Sequence, residues 1–399
     1  MFPFDGTLTY GGRSVGGAGP LERIRSFFGR GGAHRELLAD ADVRISVSGI
    51  RGKSSTAKRL GALLSDRGYD TYTKITGDHP TSFHNGRQIP IQRRGPRVTL
   101  YENLHLVREF LPQLTQTHPK DAVIMENQAI TEYTMRMVNE QFLKPDVLLF
   151  CNVRQDHNDT LGKRRQTIAR SFARSVPEGC HVISGEQHGV IHDYLEDEIE
   201  ARGGTIEQVS VPDRHRSLTG AETIHALNHV LDYLDEPPIP DAELDAMLED
   251  IQPEWTELPG GRVFNAAKVN EIESTELFRR QLAGTGDDAE LVCPFVFLRR
   301  DRRGRTASFV QYINILADRD LIDRVHVGGA YTEVFARRVD VPATRHDTDA
   351  TDPEDVLDAL LATGQPVMFM ANTVHPFMRK LATEVERREH GGTVPLPPY

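Results

Sequence analysis

Val43-Arg44-Ile45-Ser46-Val47-Ser48-Gly49-Ile50-Arg51-Gly52-Lys53-Ser54-Ser55 decides how the rest of this sequence is read. An alternating apolar run, a Gly-x-x-Gly-Lys-Ser turn and a helical stretch after it form a device for holding phosphates. Gly49 and Gly52 let the backbone turn tightly and leave room for an oxygen-rich ligand. The following helix offers unpaired N–H groups and the positive end of its dipole to an anion. Lys53 brings a full positive charge to the outer phosphates, and the Ser54 hydroxyl suits the accompanying Mg²⁺. Residues Gly49, Ile50, Arg51, Gly52, Lys53, Ser54 and Ser55 are therefore expected to bind a nucleotide. The usual phosphate loop has four residues between its first glycine and the Gly-Lys pair, whereas this one has two.

Around the loop, the pattern is that of a helix-flanked parallel sheet. Strands are expected at Val43–Ser48, Thr71–Ile75, Ala122–Glu126, Val147–Asn152, His181–Ser184 and Thr205–Val209. Between them helices are expected at Ser54–Arg67, Tyr101–Leu114, Thr131–Phe142, Gln166–Arg174 and Ala221–Leu234. The proline- and glycine-rich stretch 252–261 reads as a linker. A second set of strands follows at Val263–Ala267, Pro294–Leu298, Arg324–Gly328 and Pro366–Met370. This divides the chain into a partly disordered extension (1–41), a nucleotide-binding α/β domain (42–251), the linker, a smaller α/β domain (262–390) and a loose tail (391–399).

With 399 residues, 38% hydrophobic and 26% charged, the chain has the composition of an ordinary globular protein of two or three domains. Its net charge of -11 argues against a nucleic-acid partner. Three scattered cysteines fit a reducing cytoplasm and exclude a disulfide scaffold. No run reaches the roughly 18 apolar residues of a membrane span. Leu21, Ile24, Phe27 and Phe28 interleave with arginines, which fits either a basic docking helix or a helix packed on its own domain.

Further residues carry chemistry. Glu126 closes an apolar strand two strands from the loop, where α/β nucleotide sites gather their ligands. It suits a metal ion or, equally, a structural salt bridge. Asn152, Asp156, His157 and Asp159 share one strand-to-helix loop at the same sheet edge, which suits metal or phosphate work or, alternatively, a structural histidine. Arg299, Arg300, Asp301, Arg302, Arg303 and Arg305 follow a strand of the second domain, which suits either a solvated basic surface or a site for a phosphate or carboxylate. Two basic clusters, Arg93/Arg94/Arg97 and Lys163/Arg164/Arg165, suit an anionic substrate or product, or a plain solvated surface.

Taken together, these motifs resemble the poly-γ-glutamate synthase subunit family CapB/PgsB, related to the Mur ligases and to folylpolyglutamate synthase. The matching stretches are Ile45–Ser55, Lys74–Gly77, Glu126–Ile130, Asn152–Asp159, Phe264–Asn270 with Glu273–Thr275, and Arg299–Arg302 with Arg305-Thr306. The resemblance implies an α/β fold, with a P-loop-type Mur ligase central domain on a parallel sheet and a smaller Rossmann-like C-terminal domain. It also implies an ATP- and Mg²⁺-dependent ligase that activates a γ-carboxylate as an acyl phosphate and joins it to an amino-acid amine. On that pattern Ser54, Glu126 and His157 hold Mg²⁺, Asn152 lies near the nucleotide, and Lys53, His157, Asn270, Arg299, Asp301 and Arg302 serve catalysis. Glutamate or its polymer is the implied substrate, with a small membrane subunit as partner and a cytoplasmic or membrane-peripheral location; homo-oligomerisation stays open. The departures are Asn127-Gln128, Asn158, Val269-Asn270-Glu271, Phe297 and Ala371–Pro376, which lie mostly on the acceptor side. A Mur-type ligase for another carboxylate and amine, and a non-catalytic ATP-binding subunit, are the two competing readings.

Overall fold

A computed structural model of the chain describes residues 32, 34–36, 38–76, 80–89, 120–128, 131–155, 160–162, 164–269, 271–300, 303–370 and 375–391. Its first sheet has eight strands: β1 (Val43–Ser48), β2 (Asp70–Ile75), β3 (Thr81–His84), β4 (Arg87–Ile89), β5 (Asp121–Glu126), β6 (Val147–Phe150), β7 (His181–Ser184) and β8 (Thr205–Gln208). They lie in the order β4-β3-β2-β5-β1-β6-β7-β8, and all pairings are parallel except those of the β3–β4 hairpin. The chain leaves β1 towards β2 and β5 on one side and later fills β6, β7 and β8 on the other. The direction of winding therefore reverses at β1, and the crevice beyond its carboxyl end is where such sheets bind ligands.

Helix α1 (Lys53–Asp66) buries Thr56, Ala57, Leu60, Gly61, Leu63 and Leu64 against this sheet. That stripe recurs at the helical period and turns the charged residues outwards. The π-turn Val138–Leu143 prolongs α2 (Glu132–Met137) and covers the opposite face. Arg165–Ala173 (α3) and Gly189–Glu200 (α4) flank β7 and β8, and Ala221–Tyr233 (α5) and Asp241–Asp250 (α6) close the α1 side. Leu38 and Ala41, at the end of the expected N-terminal extension, pack with Tyr72, Val123 and Phe142 as part of this core.

The second sheet comprises β9 (Thr256–Leu258), β10 (Gly261–Asn265), β11 (Cys293–Leu298), β12 (Val325–Gly329), β13 (Ala343–Arg345) and β14 (Val367–Met370), ordered β13-β12-β11-β14-β10-β9. Only the β9–β10 pairing is antiparallel. β9 falls within the expected linker, so the chain enters the second sheet through a short hairpin. Helices α7 (Ile272–Ala283), α8 (Arg303–Ala317), α9 (Thr332–Ala336), α10 (Pro353–Leu361) and α11 (Pro376–Glu389) surround it. Among the described residues, no helix is long and apolar enough to cross a membrane. Cys151, Cys180 and Cys293 are free and buried.

One buried pair in this second sheet makes stability depend on pH. His326 Nδ1 and His346 Nε2 share a hydrogen bond of 2.9 Å, and the rings stack 5.1 Å apart. Burial, the neighbouring His346 and Arg324 together lower the His326 pKa to about 4, and burial lowers that of His346. Both imidazoles gain protons more readily once the chain unfolds. Their contribution is thus complete above the unfolded value near 6.5 and is lost as pH falls from there towards 4. The melting temperature should drop between pH 7 and pH 5, and His326→Asn should flatten part of that drop. An equal drop in the variant would assign it to other groups.

Candidate functional site

The turn after β1 has the backbone that its glycines allow. Gly49 has φ 116°, and a Cβ there would stand 3.0 Å from the Asn152 nitrogen and 3.1 Å from its oxygen. Gly52, at φ 85°, delivers the chain into α1, and no side chain caps that helix. The first-turn N–H groups and the positive helix end thus face the loop. The Lys53 Nζ donates to the Ile50 carbonyl at 3.1 Å, so the ammonium folds back over the loop. Ser55 Oγ donates to the Gly52 carbonyl at 2.9 Å.

Asn152, just past β6, holds this loop from the side. Its Oδ1 accepts the Arg51 N–H at 3.1 Å and its Nδ2 donates to the Arg51 carbonyl at 3.2 Å. The Ile50 N–H donates to the Asn152 carbonyl at 3.1 Å. An amide side chain reproduces a strand's pairing here, and that fixes the loop before any ligand arrives.

On the other flank, Glu126 ends β5 in register with Val47 and is buried. Its Oε2 accepts the Ser54 hydroxyl at 2.9 Å and the Thr76 N–H at 2.9 Å. A hydroxyl and a carboxylate 72 positions apart in sequence thus meet beside the Gly49–Gly52 turn. Two hard oxygen donors fit a divalent ion such as Mg²⁺ or Mn²⁺. Beneath them, Asn127 Nδ2 donates to Asn139 Oδ1 at 2.8 Å and to the Met135 carbonyl at 3.1 Å, and Ser46 Oγ donates to the same Asn139 oxygen at 2.9 Å. The departure at Asn127 is therefore matched by a partner that the π-turn presents. Asp156, His157, Asn158 and Asp159 lie outside the described residues.

Between the two sheet units lies a cleft with about 240 Å³ of space, lined by Asn152, Arg154, Glu186, Gly220 and Glu222 from the first unit and Glu273 from the second. The Glu186 carboxylate accepts the N–H groups of Val153 (2.6 Å) and His188 (2.9 Å) and so sets the loop after β6. Arg154 sits 3.8 Å from Glu222 and 3.9 Å from Glu271, and donates to Ser274. Burial pushes the Glu222 and Glu271 carboxyl pKa values up, against the lowering pull of Arg154 on both and of Arg51 on Glu271. Arg165 pairs with Glu273, and Thr219 Oγ1 donates to Gln281 at 2.9 Å, so the units meet along this cleft.

The structure thus brings together Lys53, Ser54, Glu126 and Asn152. Arg299 follows β11 on the second sheet, half-buried, and Arg300 is exposed. Asn270, Asp301, Arg302, Lys163, the cluster Arg93/Arg94/Arg97, the helix expected at Tyr101–Leu114 and the departures at 371–374 lie outside the described residues. Phe297 is buried, its ring 4.8 Å from His375 and stacked on Phe377 at 5.9 Å. Composition and spacing do not single out Arg154, Glu186, Glu222 or Glu271 as site residues. The sequence signal of Arg154, Glu186 and Glu222 is a charged residue near an apolar run, which is also the commonest signal of a surface.

Residues 256–388 match the family model described as the poly-gamma-glutamate synthase CapB C-terminal domain. The chain is 26% identical over 152 residues to PGA synthase CapB of Bacillus subtilis (strain 168), covering 38% of this chain and 37% of that protein. It is 24% identical over 185 residues to the capsule biosynthesis protein CapB of Bacillus anthracis, covering 46% and 38%. These matches span well under half the length of either relative. In fold, the chain resembles E. coli FolC in complex with ADP, with a TM-score of 0.64, 18% identity and coverage of 92% and 94%. A bifunctional folylpolyglutamate synthase/dihydrofolate synthase with Mn, AMPPNP and L-glutamate bound gives 0.61 at 17% identity, covering 91% and 94%. MurF ligase from Thermotoga maritima in complex with ADP gives 0.58 at 13%, covering 90% and 83%. The fold is that of the Mur ligases and FolC.

Proposed function

We propose that this chain is an ATP-dependent, ADP-forming ligase that activates a γ-carboxylate of glutamate, or of a growing glutamate chain, and joins it to an amino-acid amine. The observation that carries this reading is the meeting of Ser54 and Glu126 beside the Gly49–Gly52 turn. The CapB matches supply the substrate class, and the nucleotides and glutamate named for the structural neighbours are consistent with it. Phosphoryl transfer to a carboxylate needs positioning and charge neutralisation more than covalent help. The loop N–H groups and Lys53 would hold the phosphates, and Ser54 and Glu126, with His157, would hold Mg²⁺. Asn152 keeps the loop shaped for this. The cleft beside Asn152 leaves room for the nucleoside. Arg299, Asp301, Arg302 and Asn270 are proposed for the acyl phosphate and incoming amine. A small membrane subunit, a cytoplasmic position at the membrane face and self-association belong to the same proposal.

Phe297, packed against His375 and Phe377, argues for a non-catalytic nucleotide-binding subunit beside two ligase readings, the γ-glutamyl ligase and a Mur-type ligase for another acceptor. ADP release by the purified chain with ATP, Mg²⁺ and L-glutamate, followed by mass spectrometry, separates the two. A ladder of glutamate additions supports the first and ADP with a single different adduct the second. ATP binding without turnover under any acceptor would leave only a nucleotide-binding subunit.

A further inference from the structure

Glu271 belongs to the second sheet unit, yet its charge is directed at the phosphate loop of the first. It is 4% exposed at the start of α7, where its Oε1 accepts the Ser274 N–H at 2.8 Å. Its Oε2 is sealed from solvent and accepts no hydrogen bond from any described residue. Two guanidinium groups stand at ion-pair distance from the capping oxygen: Arg51 Nε at 3.9 Å and Arg154 Nη1 at 3.9 Å. Capping a helix needs only a small polar side chain. A longer carboxylate buried between two arginines from the other unit costs desolvation that a cap alone would not require.

The main chain of Arg51 is clamped by Asn152 at both its N–H and its carbonyl. Its side chain extends towards the second unit, with Nε 3.9 Å from Glu271. An anion arriving at the loop therefore meets an arginine already facing an internal carboxylate.

We propose that Glu271 is a positioning residue for the nucleotide phosphates, acting through Arg51 and Arg154. It offsets part of the positive charge at the loop mouth and ties both guanidinium groups to the second sheet unit, so that bound phosphates must draw Arg51 away from it. Nucleotide affinity is thereby held down, and occupancy of the loop is felt at the junction of the two units. This inference rests on the reading of Gly49–Ser55 as a nucleotide loop.

The test is equilibrium binding of Mg·ATP to the full-length chain and to Glu271→Gln, Glu271→Asp and Ser274→Ala, with turnover measured on the same preparations. Gln keeps an oxygen for the Ser274 N–H and removes the charge. Glu271→Gln should bind ATP about 5- to 10-fold more tightly, the scale of one unit charge removed a few ångströms away at a water-screened loop mouth. Its turnover should fall, because the charge that orients Arg51 and Arg154 towards the second unit is gone. Glu271→Asp keeps the charge and should stay within about twofold of the natural chain's affinity. Loss of packing weakens binding, so tightening is a readout that a merely structural role does not give. Unchanged or weaker binding in Glu271→Gln overturns the proposal. So does equal tightening in Ser274→Ala, which removes the hydroxyl that donates to the same Glu271 oxygen and leaves the carboxylate charged. If the natural chain binds no ATP, the nucleotide reading itself falls, an outcome distinct from normal binding that Glu271→Gln leaves unmoved.

Discussion

Lys53→Ala should cost at least ~100-fold in ATP turnover and leave the melting temperature within about 2 °C of the natural chain. The ammonium is half-buried at the head of α1 and donates to the Ile50 carbonyl at 3.1 Å, a bond that closes the loop without supporting the core. The residues that anchor α1 are Ala57, Leu60, Leu63 and Leu64, and they lie beyond it on the inward face. Alanine is also a better helix former than lysine by a small margin, so the helix itself does not suffer. What disappears is one positive charge where the outer phosphates would lie, beside the main-chain N–H groups of the loop. Removing one preorganised donor of this kind typically costs about 2.7–4 kcal/mol of transition-state stabilisation. Turnover retained within threefold would show that the loop holds something other than a triphosphate. Turnover lost together with a collapsed melting temperature would give Lys53 a structural role.

How much of this is legible in the sequence depends on whether the signal is local. The strands β1 and β7 carry the limits expected from their apolar runs, Val43–Ser48 and His181–Ser184. Glu126 stands at the end of its strand as expected, and its meeting with Ser54 follows once β5 lies next to β1 in parallel. Other elements escape the sequence for identifiable reasons. The β3–β4 hairpin turns at Asn85-Gly86, both with positive φ, a two-residue hairpin signal whose flanking strands are too short and polar to register as a run. One helix is expected over Thr131–Phe142, whereas the second half is a π-turn. The wider turn presents Asn139 to Ser46 and Asn127, and no periodicity rule sees a buried amide three partners deep. Glu271 shows in the sequence only as a departure from a family pattern. Its burial between Arg51 and Arg154 depends on how one sheet unit meets the other, which no local pattern encodes.

Glu126→Gln is the change with the second largest expected effect, and it separates binding from chemistry. Gln can still accept the Ser54 hydroxyl and the Thr76 N–H through its carbonyl oxygen, the two bonds that Glu126 Oε2 makes at 2.9 Å each. The sheet edge should therefore survive, and so should the Gly49–Gly52 turn, which is shaped from the opposite flank by Asn152. The negative charge is gone, however, and a neutral amide oxygen is a much weaker partner for a hard divalent ion than a carboxylate. ATP should bind within about fivefold of the natural affinity in the absence of metal, because the proposed phosphate contacts are those of the loop rather than of Glu126. Turnover at limiting Mg²⁺ should fall by at least ~100-fold, with the apparent metal requirement shifted to higher concentration and partly recovered by excess metal. A Lys53→Ala chain should show no such recovery, because added metal does not replace a missing phosphate contact. If Glu126→Gln instead loses metal-free ATP binding and thermal stability together, the carboxylate is a strut between β5 and α1, and the metal must be held by other residues.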